Sequence, residues 1–473
     1  MGTLTTLMNL SREALQADQT ALSVTSSNVA NQNTVGYTRQ VVSWRTVDSV
    51  TLTGPATGGS EGVPEGVAAT ATSQRDRVLE QRVQQQTQVQ AQSGALAGAL
   101  ESVQSIFGIS SSSTSAGSTA LGLAIDSLFS SFAALEGSPG GSATRQSVLA
   151  AAGTLAATLN SAAGQIAQVS AGLDAQVNGS VGRINALTAT IAGLNVQIAG
   201  GSAGQDAGAL EDQRQQAIAA LSQFVGLDQI ATDHNGVALT TSNGAMLVSG
   251  GESFALTTTR VGGVAHLLSG ADGVDITSGL KGGSLGGLLR SRDQVLPRYA
   301  DALDQLAYGI GTQVNLQSAL GVDGSGVAGQ AMFSLPGSAA GAAALMSVAQ
   351  SDPQQVAARA AGEGSAGSGN ALALADLGSA NVVQGQTAAG YYAAFLGQIG
   401  NDTAGATTDS TAQQAILTQL TTQRNALSGV SLDEEAANLT QYQRSYEAAA
   451  KVLAIVNTLL ASAINLGVQT SVN

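Results

Sequence analysis

The side chains that could carry out catalysis are few in this sequence, and each has a simpler structural explanation. A hydrolytic triad requires a histidine, and the chain contains two, His234 beside a predicted hairpin turn and His266 in a predicted strand. Both are expected to be structural or solvent-facing. The chain has no cysteine, which excludes a thiolate nucleophile and cysteine-ligated zinc or iron-sulfur sites. We therefore predict that the protein is not an enzyme and has no catalytic residue.

Two local motifs resemble functional sites but lack part of what those sites need. The run Gly282–Gly287, Gly-Gly-Ser-Leu-Gly-Gly, resembles a phosphate-binding loop. It has neither the Lys-Ser/Thr ending of a P-loop nor the strand, loop and distant acid of a dinucleotide site, and we interpret it as a turn entering a helix. The acids Asp433, Glu434 and Glu435 stabilise the positive end of a helix without any further role. The sequence thus predicts no cofactor and no metal site.

Composition favours a weakly charged protein that assembles. Of its 473 residues, 11% are charged and 3% are aromatic, so the core must consist mainly of aliphatic residues on closely packed helices, and copies can meet with little charge repulsion. The net charge is −14, with lysine only at Lys281 and Lys451, which leaves no basic surface for nucleic acid. No run approaches the ~18 apolar residues of a membrane span. No cleaved secretory signal is visible at the amino terminus. We predict no nucleic-acid partner and no membrane insertion.

Apolar residues recur every seven positions near both ends of the chain. The amino-terminal seam consists of Met8, Leu15, Leu22 and Val29, and the carboxy-terminal seam consists of Leu432, Leu439, Tyr446, Leu453 and Leu460. Ser431 and Glu434 predict a capping box at the start of the second helix. Neither seam can be buried by its own helix, so each needs a helix from the opposite terminus or from another subunit. An ordinary internal bundle is the alternative.

Helical periodicity fills most of the chain between these seams. It covers residues 75–107, 119–136, 145–199, 209–224, 284–318, 384–400 and 411–428. Asn235-Gly236 and Asn243-Gly244 flank an alternating segment and predict tight hairpins. Residues 41–72 are predicted to be irregular or a hairpin, and residues 110–118, 137–142 and 362–369 to be loops.

The predicted fold is mainly α with a small β domain. Paired terminal coiled-coil helices, residues 1–40 plus 430–473, form an assembly domain. A helical bundle of residues 41–225 plus 281–429 forms the middle, and residues 226–280 form an inserted β domain. Because the chain leaves along one seam and returns along the other, both termini are expected at one pole.

The two ends of the chain resemble the axial proteins of the bacterial flagellum. Residues 27–39, Ser-Asn-Val-Ala-Asn-Gln-Asn-Thr-Val-Gly-Tyr-Thr-Arg, are similar to the amino-terminal signature of rod, hook and hook-associated proteins. Residues 428–435, followed by Leu439, Tyr442, Tyr446 and Ala450, resemble the carboxy-terminal signature of the same class. The resemblance implies that the seam residues form an assembly interface together with Asn28, Asn31, Gly36 and Tyr37.

Three internal stretches narrow the resemblance to the family of the first hook-associated protein. They are residues 210–214, residues 282–293 and residues 421–424. Hook and rod proteins are expected to carry mostly β structure between their end helices, whereas this interior is predicted to be mainly helical. Some members of the family have a larger middle with an additional outer domain, and here residues 321–352 are only a short Gly/Ala-rich segment.

The resemblance implies a structural subunit that is exported unfolded through the flagellar type III channel, without signal cleavage. It implies a homo-oligomeric ring, outside the cell, at the junction between hook and filament. The implied partners are the hook protein, the second hook-filament junction protein and an export chaperone on the carboxy-terminal helix. The alternatives are another axial protein of hook or rod type, and a secreted adhesin or hydrolase on a helical stalk. A hydrolase would require titratable groups that converge in a pocket.

Overall fold

The computed structural model describes residues 2–34, 36–46, 67–109, 119–200, 208–233 and 235–469. The fold is mainly helical with a few small sheets, as the sequence predicted. The helices are α1 (Gly2–Asn31), α2 (Arg77–Ile106), α3 (Ala120–Gly137), α4 (Ser142–Gly200), α5 (Gly208–Ser222), α6 (Gly283–Arg290), α7 (Leu296–Leu320), α8 (Ala342–Leu345), α9 (Gly369–Asp376), α10 (Ala388–Ser428) and α11 (Leu432–Gln469).

Short strands complete the described structure. They are β1 (Gln40–Thr46), β2 (Val67–Ser73), β3 (Leu227–Ala231), β4 (Val237–Thr241), β5 (Met246–Ser249), β6 (Glu252–Ser253), β7 (Thr257–Val261), β8 (Val264–Leu268), β9 (Gly321–Val322), β10 (Phe333–Ser334), β11 (Ser347–Val348) and β12 (Arg359–Ala360). All of these strands pair antiparallel, and β3 to β6 form one four-stranded sheet in chain order.

The middle helices begin where polar side chains cap them. Asp76 accepts hydrogen bonds from the amides of Val78 and Leu79 at the start of α2, and Thr119 and Thr387 cap α3 and α10 in the same way. These caps satisfy backbone N–H groups that have no partner within the first helical turn. The caps therefore fix where the helices of the bundle begin.

One apolar core joins the helical bundle to the β strands. The 59-residue helix α4 contributes along most of its length, from Val148 to Ala192. Leu239 of β4 and Tyr299 of α7 are fully buried in the same cluster. Burial of this kind supplies most of the free energy that holds a domain together. The bundle and the β strands therefore share one apolar core.

Turn residues in the β region match the predicted hairpins. Asn235 has a φ of 60° and Gly244 a φ of 88°, the positive values that tight turns require. The segment predicted as irregular or a hairpin forms the antiparallel pair β1 and β2, although residues 47–66 lie outside the described residues. The predicted loop at 110–118 also lies outside them.

One helix differs from the sequence-based prediction. Residues 384–400 and 411–428 were expected to be separate helices, but α10 runs unbroken from Ala388 to Ser428. The intervening small polar residues are compatible with a helix that packs along α2. The Gly/Ala-rich segment 321–352 folds into short paired strands and buries Met332 and Phe333 in the common core.

The prediction that no run of the sequence is apolar enough for a membrane span was too strict. Two helical stretches among the described residues are long and apolar enough to cross a membrane, by length and composition alone. Ala120–Gly137 is 44% buried, and a window within Ala388–Asn465 has mean hydropathy 1.5 and is 6% buried. In both stretches the alanine and branched aliphatic residues raise the mean hydropathy more than the isolated polar residues between them lower it. Core helices of soluble proteins pass the same test.

Candidate functional site at the terminal helices

The terminal helices α1 and α11 pack against each other along much of their lengths. The end of α1 meets the start of α11, since Asn28 donates a hydrogen bond to Glu435 over 3.1 Å. The two helices therefore run in opposite directions, which brings the beginning of α1 and the end of α11 towards the same pole. The strands β1 and β2 contact α1 as well.

The structure places the predicted seam residues beside the most buried line of each helix rather than on it. The buried residues of α1 are Ser11, Asp18 and Thr25, which are 6%, 3% and 2% exposed, together with Ala17, Ala21, Val24 and Asn28, which are 3%, 0%, 6% and 1% exposed. In α11 the buried residues include Glu435 and Val456, 1% and 4% exposed. Of the predicted seam residues, Met8, Leu15, Leu22, Leu439, Leu453 and Leu460 are half-buried, and Val29, Leu432 and Tyr446 are exposed.

A hydrogen-bonded cluster, here called the clasp, fixes this rotation of the helices. Asn28, 1% exposed, donates to the carbonyl of Gln40 over 2.8 Å and accepts from its amide over 3.0 Å. The hydroxyl of Tyr37 also donates to the Asn28 side chain, over 2.9 Å. Together with the bond to Glu435, these contacts use both polar atoms of one buried amide. Replacing Asn28 would therefore leave several buried groups unpaired.

Arg39 connects the two ends of the chain in the same clasp. Its Nε donates to Glu435 over 2.8 Å, across 396 residues of sequence, and its Nη1 lies 2.6 Å from Glu434. Its backbone amide donates to the carbonyl of Ser428 over 2.9 Å. The Glu434 carboxylate, which was expected to cap α11 with Ser431, thus pairs with Arg39. Pairing is necessary because the Glu435 side chain is 2% exposed.

Gly36 allows the clasp to approach the helical bundle. Its φ of +80° lies in the left-handed region, and a Cβ at this position would lie 2.9 Å from Cγ of Gln216 on α5. Glycine is the residue that adopts this conformation without strain. Asn31 has a more local role, since it donates to the carbonyl of Ser27 over 3.0 Å.

The motif at residues 210–214 connects the clasp to the β strands. Asp212 pairs with Arg75 and accepts a bond from the amide of Thr38 over 3.5 Å. Burial raises the pKa of the Asp212 carboxyl above its ordinary value, although Arg75 opposes this shift. Arg214 donates to Asn195 over 2.9 Å and to the carbonyl of Asn235 over 2.7 Å. Neighbouring residues of α5 thus hold the terminal segment and the β sheet.

The glycine-rich motif leads into a helix, as predicted, and its glycines also let that helix pack closely against α2. Gly282 precedes α6, and a Cβ on Gly287 would lie 2.4 Å from the carbonyl oxygen of Gln92 on α2. Beyond it, Arg292 is 3% exposed and donates to Asp174 over 2.7 Å and to the carbonyl of Ala265 over 2.8 Å. The glycine-rich run and Arg292 therefore connect α2, α4 and β8.

The predicted catalytic candidates have structural contacts where the structure describes them. His266 pairs with Asp275 over 2.7 Å at the surface of the β strands, whereas His234 lies outside the described residues. In the described ranges no group of three or more His, Cys, Asp or Glu residues could hold a metal ion. The acids at the start of α11 take part in the clasp through Glu434 and Glu435.

Sequence reasoning missed several residues that complete the clasp. The residues of the clasp that were not among the predicted interface residues are Arg39, Gln40, Arg75, Asp212, Ser428 and Glu435. Arg39 and Glu435 belong to the two signature stretches and carry opposite charges. This charge complementarity was the signal in the sequence that could have indicated their pairing. The pairing itself spans nearly the whole chain, so no local pattern could show it.

Family models match both ends and the middle of the chain. The model for the flagellar hook-associated protein FlgK helical domain matches residues 110–333. The model for the flagella basal body rod protein matches residues 8–38, and that for the flagellar basal body rod FlgEFG protein C-terminal matches residues 423–466. The two terminal matches contain the residues of α1 and α11 that form the clasp.

Relatives match almost the entire chain. Flagellar hook-associated protein 1 of Salmonella typhimurium is 26% identical over 98% of this chain and 100% of the relative. The Bacillus subtilis protein of the same name is 28% identical over 97% of each. The structure of the flagellar hook junction protein FlgK from Burkholderia pseudomallei superposes with a TM-score of 0.67 at 18% identity, and covers 74% of this chain and 100% of that chain. The chain is thus similar to flagellar hook-associated protein 1 along almost its whole length.

Proposed function

We propose that this chain is a structural subunit of the bacterial flagellum that joins the hook to the filament. The similarity along the whole chain supports this role, and one structural observation supports its mechanism. The clasp holds α1 and α11 so that both apolar seams stay partly open: Val29, Leu432 and Tyr446 are 38%, 48% and 38% exposed. Apolar surfaces of this extent on long helices favour a further helical partner.

The assembly interface consists of these seams and the residues of the clasp that orient them. In a homo-oligomeric ring, α1 and α11 of neighbouring copies would cover Leu15, Leu22, Leu453 and Leu460, which are half-buried in the single chain. The same helices would meet the hook protein on one side and the second junction protein on the other. Apart from Arg75, Asp212 and Ser428, which complete the clasp, the helical middle, 41–225 plus 281–429, and the β domain, 226–280, lie outside this interface.

Imaging of purified hook-basal bodies tests the location. A labelled copy of the chain is expected as a single band at the distal end of the hook, in the extracellular part of the flagellum. A label along the whole hook or in the rod would favour another axial protein. Complete absence of the label would favour the adhesin or hydrolase alternative.

We also propose that α11 binds a dedicated export chaperone before secretion through the type III channel without signal cleavage. Ile455 and Ile464 are 59% and 55% exposed on this helix, and such a surface requires a partner in the cell. Deletion of residues 430–473 should abolish capture of the chaperone from cytoplasm, while deletion of the β7–β8 hairpin should not. Unchanged capture after the terminal deletion would contradict this proposal.

A further inference from the structure

A large cleft with polar walls lies beside the clasp. Its cavity of about 1370 Å³ is lined by residues of α1, β2, α2, α5, β3 and β4. Every residue of β2, Val67–Ser73, contributes to this lining. The volume exceeds the roughly 300–1,000 Å³ of a small-molecule pocket. The cleft therefore has the size of a groove that holds a segment of polypeptide.

The strand β2 presents an unpaired backbone edge in this cleft. Among the described strands it pairs with β1 alone, and Gln40 lies opposite Ser73. Gln40 gives its backbone amide and carbonyl to the Asn28 side chain, so the Gln40–Ser73 pair does not bond across the sheet. Because bonded and non-bonded pairs alternate along antiparallel strands, the backbone groups of Ser73, Ala71 and Ala69 point away from β1. In the described part of the chain these groups have no hydrogen-bond partner.

Side chains that line the same cleft have buried polar atoms without a partner. Six such atoms occur among the described residues, and four of them belong to the lining, namely Glu13 Oε2, Ser73 Oγ, Arg75 Nε and Arg214 Nε. Arg214 as a whole is 6% exposed. The two arginine atoms donate, the carboxylate oxygen accepts and the hydroxyl does either. A polypeptide backbone, with a donor and an acceptor on each residue, supplies both kinds of partner.

The strand β7 presents a second free edge. Among the described strands it pairs only with β8, and all five of its residues are exposed. Val261 and Val264 flank the two-residue turn Gly262-Gly263 and bond to each other across it. Alternation along β7 therefore leaves the backbone groups of Thr258 and Arg260 unpaired. An exposed edge of this kind recruits another strand.

We infer that β7 of a second copy adds to the free edge of β2 by strand addition. In this pairing Thr258 and Arg260 lie opposite Ala69 and Ala71. The charges agree, since Arg260 is a cation and the unpaired Glu13 carboxylate is an anion. The two edges belong to different surfaces of one chain, so the contact is head-to-tail, as a ring of more than two copies requires. The inference rests on the proposed ring and gives it a second contact besides the terminal seams.

Disulfide cross-linking in assembled flagella tests the pairing, because the chain has no cysteine of its own. Two variants combine Ala71→Cys with either Thr258→Cys or Arg260→Cys, and one of them places cysteines of neighbouring copies within reach of a disulfide. That variant should give dimers and higher multimers on a non-reducing gel after mild oxidation. Ala71→Cys with Leu320→Cys is the matched control, because Leu320 is exposed on α7, and it should stay monomeric.

Amide exchange gives a second readout that needs no substitution. The amides of Ala69, Ala71 and Ser73 should exchange at least about tenfold more slowly in the assembled ring than in the dilute monomer. Slow exchange already in the monomer would overturn the inference, since a segment of the same chain would then occupy the edge.

Missing cross-links from both β2–β7 cysteine pairs would also overturn the inference. Slowed exchange in the ring without a cross-link would assign the edge of β2 to another protein of the flagellum or to another segment of the second copy. If instead the wild-type chain is absent from the junction, the proposed function itself fails.

Discussion

The helical middle and the terminal helices are held together by different interactions. The described apolar core extends from Ala99 to Ile399 and includes no residue of α1 or α11. The terminal helices depend on the clasp, in which a few directed polar bonds surround Asn28, Arg39 and Glu435. The hydrophobic effect is non-directional, whereas a hydrogen bond depends on the angle between its donor and acceptor. The apolar core thus stabilises the helical middle, whereas the hydrogen bonds of the clasp orient α1 and α11 relative to each other.

This difference explains why the two regions should respond differently to the same kind of substitution. Core replacements should unfold the isolated chain without any reference to assembly. Replacements in the terminal seams should leave the isolated chain intact and affect only what it builds.

Leu453→Asp should have the largest effect, and only on assembly. It places a carboxylate at a half-buried seam position of α11, and the cost recurs in every copy around a ring. Cells are expected to build hooks, release flagellin into the medium and fail to swim, while the melting temperature of the purified chain stays nearly unchanged. Thr458→Asp, at an exposed position of the same helix, should swim. Normal filaments in Leu453→Asp cells would show that this seam does not hold the junction.

Leu239→Asp should have the largest effect on the isolated chain. Leu239 is fully buried in β4 within the common core, so the substitution should cost about 4 kcal/mol or more of unfolding free energy. Denaturant unfolding measures the loss. Ile230→Asp is the control in the neighbouring strand, where Ile230 is 55% exposed, and it should cost far less. Similar losses for both variants would argue against a shared core.

Glu435→Gln should have an intermediate and local effect. It keeps the shape of the side chain but removes the charge that pairs with Arg39, at a cost of about 2 kcal/mol. Amide exchange should quicken around residues 36–40 and 432–438, while the core stays protected. Glu447→Gln, an exposed acid on the same helix, is the control. An equal response in α4 would mean that the clasp and the core unfold together.

Asp275→Asn should have the smallest effect, and it should depend on pH. Hydrogen bonds from Thr277 and His266 lower the pKa of Asp275 to about 2, below the ordinary aspartate value of about 3.9. The charged form is therefore stabilised in the folded protein, and this contribution is present above about pH 4 and lost as the pH falls towards 2. Thermal melting should show the variant slightly less stable than wild type at pH 7.

The difference between Asp275→Asn and wild type should shrink as the pH falls below 4 and disappear near pH 2. Because Asp275 is partly solvent-exposed, solvent screening keeps the effect small. Asp228→Asn, at an exposed position in β3, serves as the comparison. A difference that is constant from pH 7 to pH 2 would show that the charge of Asp275 is not the cause.

The sequence predicted the elements of this fold better than the contacts between them. Helical periodicity located α2, α3 and α4 closely, because each has enough buried positions to show its repeat. Asn-Gly pairs located the turns of the β strands for a local steric reason. These features depend on residues within a few positions of each other.

The rotation of the terminal helices could not be predicted in the same way. A seven-residue apolar repeat pointed to Leu15 and Leu22, but the structure buries Ser11 and Asp18 more deeply. That choice is made by Asn28 and Glu435, whose bond spans 407 residues. Polar contacts at such separation leave no periodic signal in one sequence. The assembly interface on α1 and α11, with its individual contacts, therefore stays a prediction.

Hydrogen exchange of the isolated full-length chain tests the central claim most directly. If the middle is self-sufficient and the termini await partners, the buried amides of α4 and α7 should be strongly protected. Those of α1 and α11 should exchange many-fold faster in a dilute monomer, because little apolar burial supports them. Strong protection of α1 and α11, equal to that of α4, would contradict the claim and favour a self-contained bundle.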